Sequence, residues 1–367
     1  MRNRKVFLII FTLLAGLICA GFFTLRFFRP KPLYEETLLV TSTGQVILPC
    51  SINDDEQIVG LVLSSKDRYS VVLWDQKRGA QNLVCFDDYQ SVYPIKINNA
   101  SQVAGTIKDS NDIYRAFLWD PKSGLQLLDT LGGLMSGVQA INNHGYSAGY
   151  SQMSSGLKHA VLWVSNTGLI DLGTLGGPES HAGSISDSGQ VVGYSQIASG
   201  QWHAFFWDPN TGMKDIGPTS LIWPPGYCIH INNNGLVVGR FGSSTDEMLI
   251  STWSVNNGIK PIPSLEGVDA FPIALNDTGQ FLLLVRSRQL FGLTNRIEKN
   301  QYLWKPSSGF ICLNENIDQK HAPGLILNDI DNNGKILGWS ETKGSKQHGL
   351  LLNPIVEKPD RGFEHSP

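Results

Sequence analysis

Apolar and polar residues recur in one pattern along most of the chain. An apolar residue and two or three polar residues lead through a turn into a second apolar run that ends in glycine, as in HINNNGLVVG. The pattern occurs seven times, and its copies end at Gly60, Gly105, Gly149, Gly193, Gly239, Leu283 and Gly338. The intervals between these end positions are nearly constant, and only the last, from Leu283 to Gly338, is clearly longer. Repetition at a period of about 44 residues predicts a repeat architecture.

A second apolar run follows each copy and ends in tryptophan in six of the seven repeats. These residues are Trp74, Trp119, Trp163, Trp207, Trp253 and Trp304, and Leu352 holds the seventh position. The spacing from the end of the first run to the end of the second is the same in every copy but the sixth, where an insertion lengthens it. Because the tryptophans recur once per repeat, we expect them to pack in the core.

Each repeat has room for four strands. Asn-Asn-Asn-Gly and Asp-Pro-Asn-Thr-Gly between apolar runs predict tight hairpin turns, and about 44 residues accommodate four strands of ordinary length with their connections. The two middle strands are apolar at successive positions, so both of their faces must be covered. The sequence therefore predicts an all-β fold, a seven-bladed β-propeller of four-stranded blades. We label the strands of each blade a, b, c and d.

The two ends of the repeat array predict how the ring closes. The last copy stops after its c-like strand HGLLLNP, and the five-residue spacing from Trp to Gly is repeated by Leu39 and Gly44. We therefore expect residues 45–48 to supply the missing fourth strand and to pair beside residues 349–353. Such a shared blade removes both open sheet edges.

An uninterrupted apolar run, from Val6 to Leu25, precedes the repeats. Its length, about 20 residues, suits a helix that crosses a bilayer. It is either a cleaved signal peptide or a retained anchor, and the cations that follow it favour the anchor. The expected organisation is a signal or transmembrane helix in residues 1–29, a linker in 30–33, the propeller in 34–353 and a tail in 354–367. We expect the propeller on the extracytoplasmic side, periplasmic or extracellular.

Three segments carry a family resemblance. HAFFWDPNTGMKDIG, HAVLWVSNTGLIDLGTLGG and RAFLWDPKSGLQLLDTLGG resemble the HAF repeats of predicted bacterial extracellular proteins. The resemblance covers roughly residues 50 to 353. It implies a propeller-like fold and an extracellular location, but no established activity. The Trp-Asp pairs also resemble WD repeats, although the Gly-His pair of those repeats is missing.

Composition and charge narrow the possible functions. Past residue 31 the chain has 23 basic and 32 acidic residues, which is a poor match to a nucleic-acid binder. The five cysteines show no metal-ligand spacing, and disulfides among Cys50, Cys85, Cys228 and Cys312 stay open. The chain contains no G-x-S-x-G, H-E-x-x-H, P-loop or G-x-G-x-x-G motif. We therefore expect no catalytic residue, no metal and no cofactor.

The long b–c and d–a connections are the expected binding surface, because variable loops on a rigid scaffold usually carry function. The sixth b–c loop, RSRQLFGLTNRIEKN, interrupts the constant spacing and is basic. The candidate ligand-binding residues are Tyr93, His181, Trp202, Trp223, Tyr227, Arg286, Arg288 and Arg296. Arginine forks beside aromatic rings suit an anionic group, such as a sugar acid or an acidic peptide.

The expected function is therefore binding without catalysis: a membrane-anchored, exported propeller that holds a protein or anionic glycan partner through its long loops. Two alternatives stay open. One is a hydrolase or lyase with its site in the central channel, which predicts non-repeating acids, histidines or arginines that converge there. The other is a purely structural component of the envelope.

Overall fold

The computed structural model describes residues 32–63, 69–83, 89–165, 168–219, 229–241, 249–262, 269–288, 297–317, 320–321, 324–342 and 346–355. These residues form seven antiparallel sheets of four strands each. The predicted all-β, seven-bladed propeller is thus confirmed. No helix among them is long and apolar enough to span a membrane, and the run from Val6 to Leu25 lies outside the described residues, so the helix there stays a prediction.

The blades follow one another along the chain. Strand β1 is Tyr34–Leu39, and the first three blades are β2 to β5 (Leu48–Ile52, Ile58–Leu63, Tyr69–Asp75, Gly79–Asn82), β6 to β9 (Ser91–Ile97, Val103–Lys108, Tyr114–Asp120, Gly124–Leu127) and β10 to β13 (Gly132–Ile141, Ser147–Met153, Lys158–Val164, Gly168–Gly173). The next three are β14 to β17 (Gly176–Ile185, Val191–Ile197, Trp202–Asp208, Gly212–Pro218), β18 to β21 (Ile229–Ile231, Val237–Arg240, Ile250–Ser254, Gly258–Pro261) and β22 to β25 (Asp269–Leu275, Phe281–Arg288, Ile297–Lys305, Gly309–Cys312). A short 3-10 helix, Leu313–Glu315, leads to β26 to β28 (Ile326–Ile330, Ile336–Thr342, Lys346–Pro354).

Strand β1 closes the ring as the outermost strand of the seventh blade, whose order is β26, β27, β28, β1. It pairs antiparallel with β28, from Tyr34 opposite Pro354 to Leu39 opposite Gly349. Closure by the amino-terminal segment was predicted correctly, but its assignment to residues 45–48 is wrong. Leu48 already begins the innermost strand of the first blade.

The core lies between adjacent blades. Side chains of the middle strands are buried from both sides, as Val191, Val192 and Phe205 show with no exposed surface. Trp74, Trp163 and Trp253 are buried as well, while Trp119, Trp207 and Trp304 pack partly buried against neighbouring clusters. The prediction that the tryptophans are core residues is confirmed.

The two ends of the ring differ in their connections. The tight a–b and c–d turns emerge at one end, the turn face, and the b–c and d–a connections emerge at the other, the loop face. In the a–b turns the left-handed residue is glycine in five blades, whereas Glu56 and Ser101 hold that position in the first two with φ of 63° and 61°. All seven copies therefore keep the same turn geometry, even where glycine is absent.

Candidate functional site

An irregularity in the innermost strands shapes the central channel. In six of the seven a strands the pairing with strand b skips one residue, as between Pro94 and Lys96. Such a bulge leaves the extra residue unpaired and turns it out of the ladder. The extra residues are Cys50, Ile95, Gln139, Gly183, Ile273 and Asn328, and all of them line one cavity.

This cavity, the channel cavity, has a volume of about 670 Å³ and is lined by residues of all seven blades. Most of its wall is apolar and includes Pro94, Phe271 and Leu284. Its volume falls within the range of small-molecule sites, which combine apolar walls with a few polar groups. The channel cavity is therefore the best-formed candidate site among the described residues.

The floor of the cavity is one layer of seven residues, each directly before the apolar residue that leads into the a–b turn. The floor layer consists of Ser51, Lys96, Ala140, Ser184, His230, Ala274 and Asp329. Lys96, Ala140, Ser184 and His230 face the channel cavity, and all seven line a smaller pocket between the layer and the a–b turns. Four blades thus have serine or alanine here. Lys96, His230 and Asp329 depart from that pattern, and the ring brings these three together.

Asp329 is the most highly bonded member of the floor layer. Its Oδ1 lies 2.6 Å from Nζ of Lys96, and its Oδ2 accepts a hydrogen bond of 2.6 Å from Oγ of Ser51. Backbone N–H groups of Ile52 and Ile330 also donate to this carboxylate, at 3.3 and 3.1 Å. The carboxylate therefore neutralises Lys96 and has its oxygens occupied by protein donors.

His230 is held as a neutral imidazole. Burial lowers its pKa to about 4, and the positive charge of Lys96 acts in the same direction. The ring is hydrogen-bonded to the backbone carbonyl of Pro272 in the next blade, whereas its Nε2 has no partner among the described residues. The bond must therefore come from Nδ1–H, which leaves the lone pair on Nε2.

Arg286 stands nearer the loop face. It lies opposite Asp269, at the start of the a strand of its blade, and its guanidinium carbon lies 5.0 Å from the ring centre of Phe271. Its Nε has no hydrogen-bond partner among the described residues. The cavity therefore combines a guanidinium stacked on an aromatic ring near its entrance with a polar floor.

The described cysteines are free thiols. Cys50 lines the cavity and Cys312 lies in the sixth blade, and neither forms a disulfide. Burial raises the pKa of Cys50 to about 12, so its thiol stays protonated at neutral pH. Cys85 and Cys228 lie outside the described residues. Within the described ranges, no three side chains of His, Cys, Asp or Glu are grouped so as to hold a metal ion.

Three of the predicted site residues lie in different places. Tyr93 is 43 % exposed and near Tyr114. His181 is buried, with ring centres of Tyr150 and Trp202 at 5.4 and 5.9 Å. His181 therefore packs against the third blade, whereas Trp202 packs against the cluster between the fourth and fifth blades. The two do not form the exposed loop cluster that the sequence predicted.

Of the predicted arginines, only Arg286 reaches the channel cavity within the described part. Arg288 ends strand β23, and its side chain is not among those that the structure describes. Trp223, Tyr227 and Arg296 also lie outside the described residues. His159, His203 and His348 occupy one position of the repeat, near the start of strand c, and were not predicted as a site. Two of them pair within their own blades: His159 with Asp171 at 2.9 Å and His203 with Asp215 at 2.8 Å.

Lys96, His230 and Asp329 are the residues that sequence reasoning missed. The signal was present in the repeat, because aligning the seven copies places S, K, A, S, H, A and D in one column. The bulge beside this column, which the structure describes in every a strand except that of the fifth blade, was not predicted. Without it, nothing distinguishes this column from its neighbours.

No model of a known protein family matches the chain, and no curated protein matches it. Its fold is similar to the β-propeller domain of the Trilobed protease from Pyrococcus furiosus, with 8 % identity, a TM-score of 0.52, and coverage of 85 % of this chain and 97 % of that chain. It is also similar to TolB from Acinetobacter baumannii, with 17 % identity, a TM-score of 0.43, and coverage of 59 % and 53 %. The chain thus matches about half the length of that TolB structure.

A third similar structure is the Aleuria aurantia lectin in complex with Fucα1-6GlcNAc, with 10 % identity, a TM-score of 0.37, and coverage of 90 % of this chain and all of that chain. At such identities a shared fold does not transfer an activity. The comparison with the Pyrococcus domain supports the seven-bladed propeller fold alone.

Proposed function

We propose that this chain is a non-catalytic, exported binding protein whose channel cavity takes a carboxylate-bearing ligand, either an acidic glycan or an acidic peptide. The observation that supports this most directly is Arg286. Its guanidinium lies over Phe271 at the entrance to the cavity, and its Nε is without a partner among the described residues. Burial of an unpaired donor costs free energy, and a carboxylate bound there removes that cost.

The charges described around the cavity favour an anion. Arg286 and Lys96 are positive, and Asp329 is negative and already paired with Lys96. Among the charged side chains described in the cavity wall, Arg286 is therefore the one that attracts an anion. A guanidinium fork binds a carboxylate through two parallel hydrogen bonds, while the Phe271 ring offers apolar surface to its carbon skeleton.

One observation supports binding without a thiol nucleophile. Burial raises the pKa of Cys50 to about 12, so its thiol is protonated, whereas an activated thiol has a lowered pKa. The export part of the proposal rests on the apolar run from Val6 to Leu25 and on the resemblance to HAF repeats.

The test is isothermal titration of the full-length protein with D-glucuronate, adipate and D-glucose. We expect saturable binding of at least one of the two acids, no binding of glucose, and a tenfold or greater loss of affinity in Arg286→Gln. The matched control is Arg78→Gln, because Arg78 is an exposed arginine on the turn face. Failure of both acids to bind, or unchanged affinity in folded Arg286→Gln protein, would refute the proposal.

One observation favours a second candidate, a lyase in the same channel. His230 and Asp329 are a histidine and an acid of the non-repeating kind that this alternative predicts, and Lys96 lies beside Asp329. The neutral His230 is able to accept a proton. Incubation with oligogalacturonate, monitored by the ultraviolet absorbance of an unsaturated product, separates the two candidates. Product formed by the wild type and absent in His230→Ala would favour the lyase; binding without product favours the binding protein.

A further inference from the structure

The floor of the channel cavity contains more chemistry than an anion site needs. Arg286 alone accounts for a bound carboxylate, yet the floor layer places a lysine, a histidine and an aspartate on three different blades. The repeat itself does not require them, because serine or alanine occupies the layer in the other four blades. Their presence points to a ligand group that meets the floor while the carboxylate is at the entrance.

We infer that the ligand is a hydroxy acid of sugar-acid type, with its carboxylate on Arg286 and its hydroxyl groups on Lys96 and His230. This inference rests on the proposed function, because it uses the same cavity and the same arginine. It adds the chemical class of the ligand and the direction in which it enters.

The first step is the donor and acceptor inventory of the floor. The Lys96 ammonium has three N–H groups and uses one on Asp329 at 2.6 Å. Its side chain keeps 29 % of its surface exposed, so donors remain for a ligand oxygen. His230 supplies the opposite function, because its Nε2 carries a lone pair and has no donor among the described residues.

The second step is the meaning of that unpaired acceptor. Nε2 of His230 is shielded from bulk water, and burial of an acceptor without a partner costs free energy. His230 is one of the residues that line the cavity, so a ligand group bound at the floor meets this ring. A hydroxyl is a suitable occupant, because it donates to Nε2 and accepts from Lys96 at the same time.

The third step is orientation. A carboxylate is acceptor-only, so it gains nothing from a neutral histidine that offers a lone pair. Arg286 offers only donors. The carboxylate is therefore expected near the loop face at Arg286, and hydroxyl groups at the floor. The apolar wall between them, including Ile95 and Phe271, suits the C–H face of a sugar ring.

The test compares two acids of six carbons in the full-length protein: D-glucuronate, which has hydroxyl groups, and adipate, which has none. We expect the wild type to bind D-glucuronate at least tenfold more tightly than adipate. His230→Ala should lose that preference while its affinity for adipate is unchanged. Alanine is compatible with the layer, since Ala140 and Ala274 occupy it in other blades. The matched control is His159→Ala, which removes a histidine that pairs with Asp171 outside the channel cavity.

The outcomes distinguish the two proposals. Equal binding of both acids by the wild type, with loss of both in Arg286→Gln, leaves the carboxylate site intact and refutes the hydroxyl subsite. A preference for D-glucuronate that survives in His230→Ala also refutes it. If neither acid binds, both the hydroxyl subsite and the proposed function are refuted. Should His230→Ala not fold, His230→Ser tests the same point, because Ser51 and Ser184 show that serine fits the layer; a retained preference in that variant counts against the proposal.

Discussion

The backbone N–H of Asn332 in the seventh blade donates to Oδ1 of Asp54 in the first blade at 3.0 Å. The same bond joins each blade to the next around the whole turn face. The other six run from Asp54 to Asn99, Asn99 to Asn143, Asn143 to Asp187, Asp187 to Asn233, Asn233 to Asp277 and Asp277 to Asn332. The seven bonds form a closed ring, which ties the first blade to the last in the same way as it ties neighbours in the repeat.

A second set of bonds, one residue earlier in each turn, is incomplete at two blade junctions. In the fourth blade the residue is Ser186. In the seventh blade, at the junction that closes the ring, it is Asp331, whose ionised carboxylate has no proton to donate. In the other blades an asparagine donates its side-chain amide to the backbone carbonyl of the following blade, from Asn53, Asn98, Asn142, Asn232 and Asn276.

We predict that Asp331→Asn stabilises the protein. Burial raises the pKa of Asp331 to about 6 from its ordinary 3.8, so the folded state binds this proton more tightly than the unfolded chain does. The stability that the protonated group contributes is present below pH 3.8 and is lost as pH rises through 6. Asparagine removes this loss, and we expect a gain of up to about 3 kcal/mol at pH 7.5, measured by urea unfolding.

The control is the aspartate-to-asparagine substitution at Asp54 of the first blade, which lies one position further along the a–b turn. In Asp54, Oδ2 accepts side-chain amides from Asn99 and Asn332 at 2.8 and 3.0 Å. Asp54→Asn can place a donor against those donors, so it should destabilise the protein at pH 7.5. If Asp331→Asn were neutral or destabilising at pH 7.5, Asp331 would not be the weak point of the ring.

Strand β1 offers a test of closure. Leu39 is fully buried in a cluster with Ile47 and Leu351, whereas Leu38 beside it is 46 % exposed. Leu39→Ala should cost about 2–5 kcal/mol, as for other buried leucines, and Leu38→Ala should change stability by less than about 0.5 kcal/mol. Thermal unfolding followed by tryptophan fluorescence measures both. Equal effects would show that β1 does not close the ring.

His181 should make the protein sensitive to acid. Burial lowers its pKa to about 4, and the charge of Lys158 contributes in the same direction. The stability gained from a neutral His181 is present above its unfolded value of 6.5 and is lost as pH falls from 6.5 to 4. His181→Phe should remove about 3 kcal/mol of that loss, because phenylalanine cannot be protonated. Phenylalanine fits the position, since Phe271 occupies the same place in the a strand of the sixth blade.

The measurement is the difference between variant and wild type at each pH, because His230 also has a lowered pKa and adds to the wild-type acid sensitivity. If the free energies of unfolding of His181→Phe and the wild type differed by the same amount at every pH, the prediction would be contradicted.

The pair of Lys96 and Asp329 should show strong coupling. Lys96→Ala leaves a buried carboxylate without its cation, and Asp329→Ala leaves Lys96 and Ser51 without their acceptor. Each single change should cost about 2 kcal/mol or more, and the double change should cost clearly less than the sum. Additive effects in a double-mutant cycle would mean that the contact between Nζ and Oδ1, 2.6 Å long, contributes little.

The sequence predicted the blades well because each has local landmarks. Turn residues and tryptophans recur at fixed spacing, and hairpin pairing follows directly from them. Strand β1 has none of these landmarks. Its partner, β28, lies at the opposite end of the described chain, so no hairpin turn indicates the pairing. The spacing from Leu39 to Gly44 imitates a c–d turn, which led to the wrong assignment of residues 45–48.

The site was harder to predict for a different reason. His181 and Trp202 resemble loop residues by their place in the repeat, yet they belong to strands β14 and β16 and pack against neighbouring blades. Arg286 was found because it breaks a constant spacing. Lys96, His230 and Asp329 break no spacing, and only the assembled ring shows that Lys96 and His230 line the channel cavity and that Asp329 pairs with Lys96.

The two ends of the described chain meet, since the backbone N–H of Ile355 donates to the carbonyl of Leu33 at 2.9 Å. Strand β28 runs from the loop face to the turn face, so this junction lies on the turn face, at the outer rim of the seventh blade. A membrane tether that ends just before Leu33 would therefore hold the turn face toward the bilayer. The cavity entrance would then look outward, toward ligands that arrive from solution.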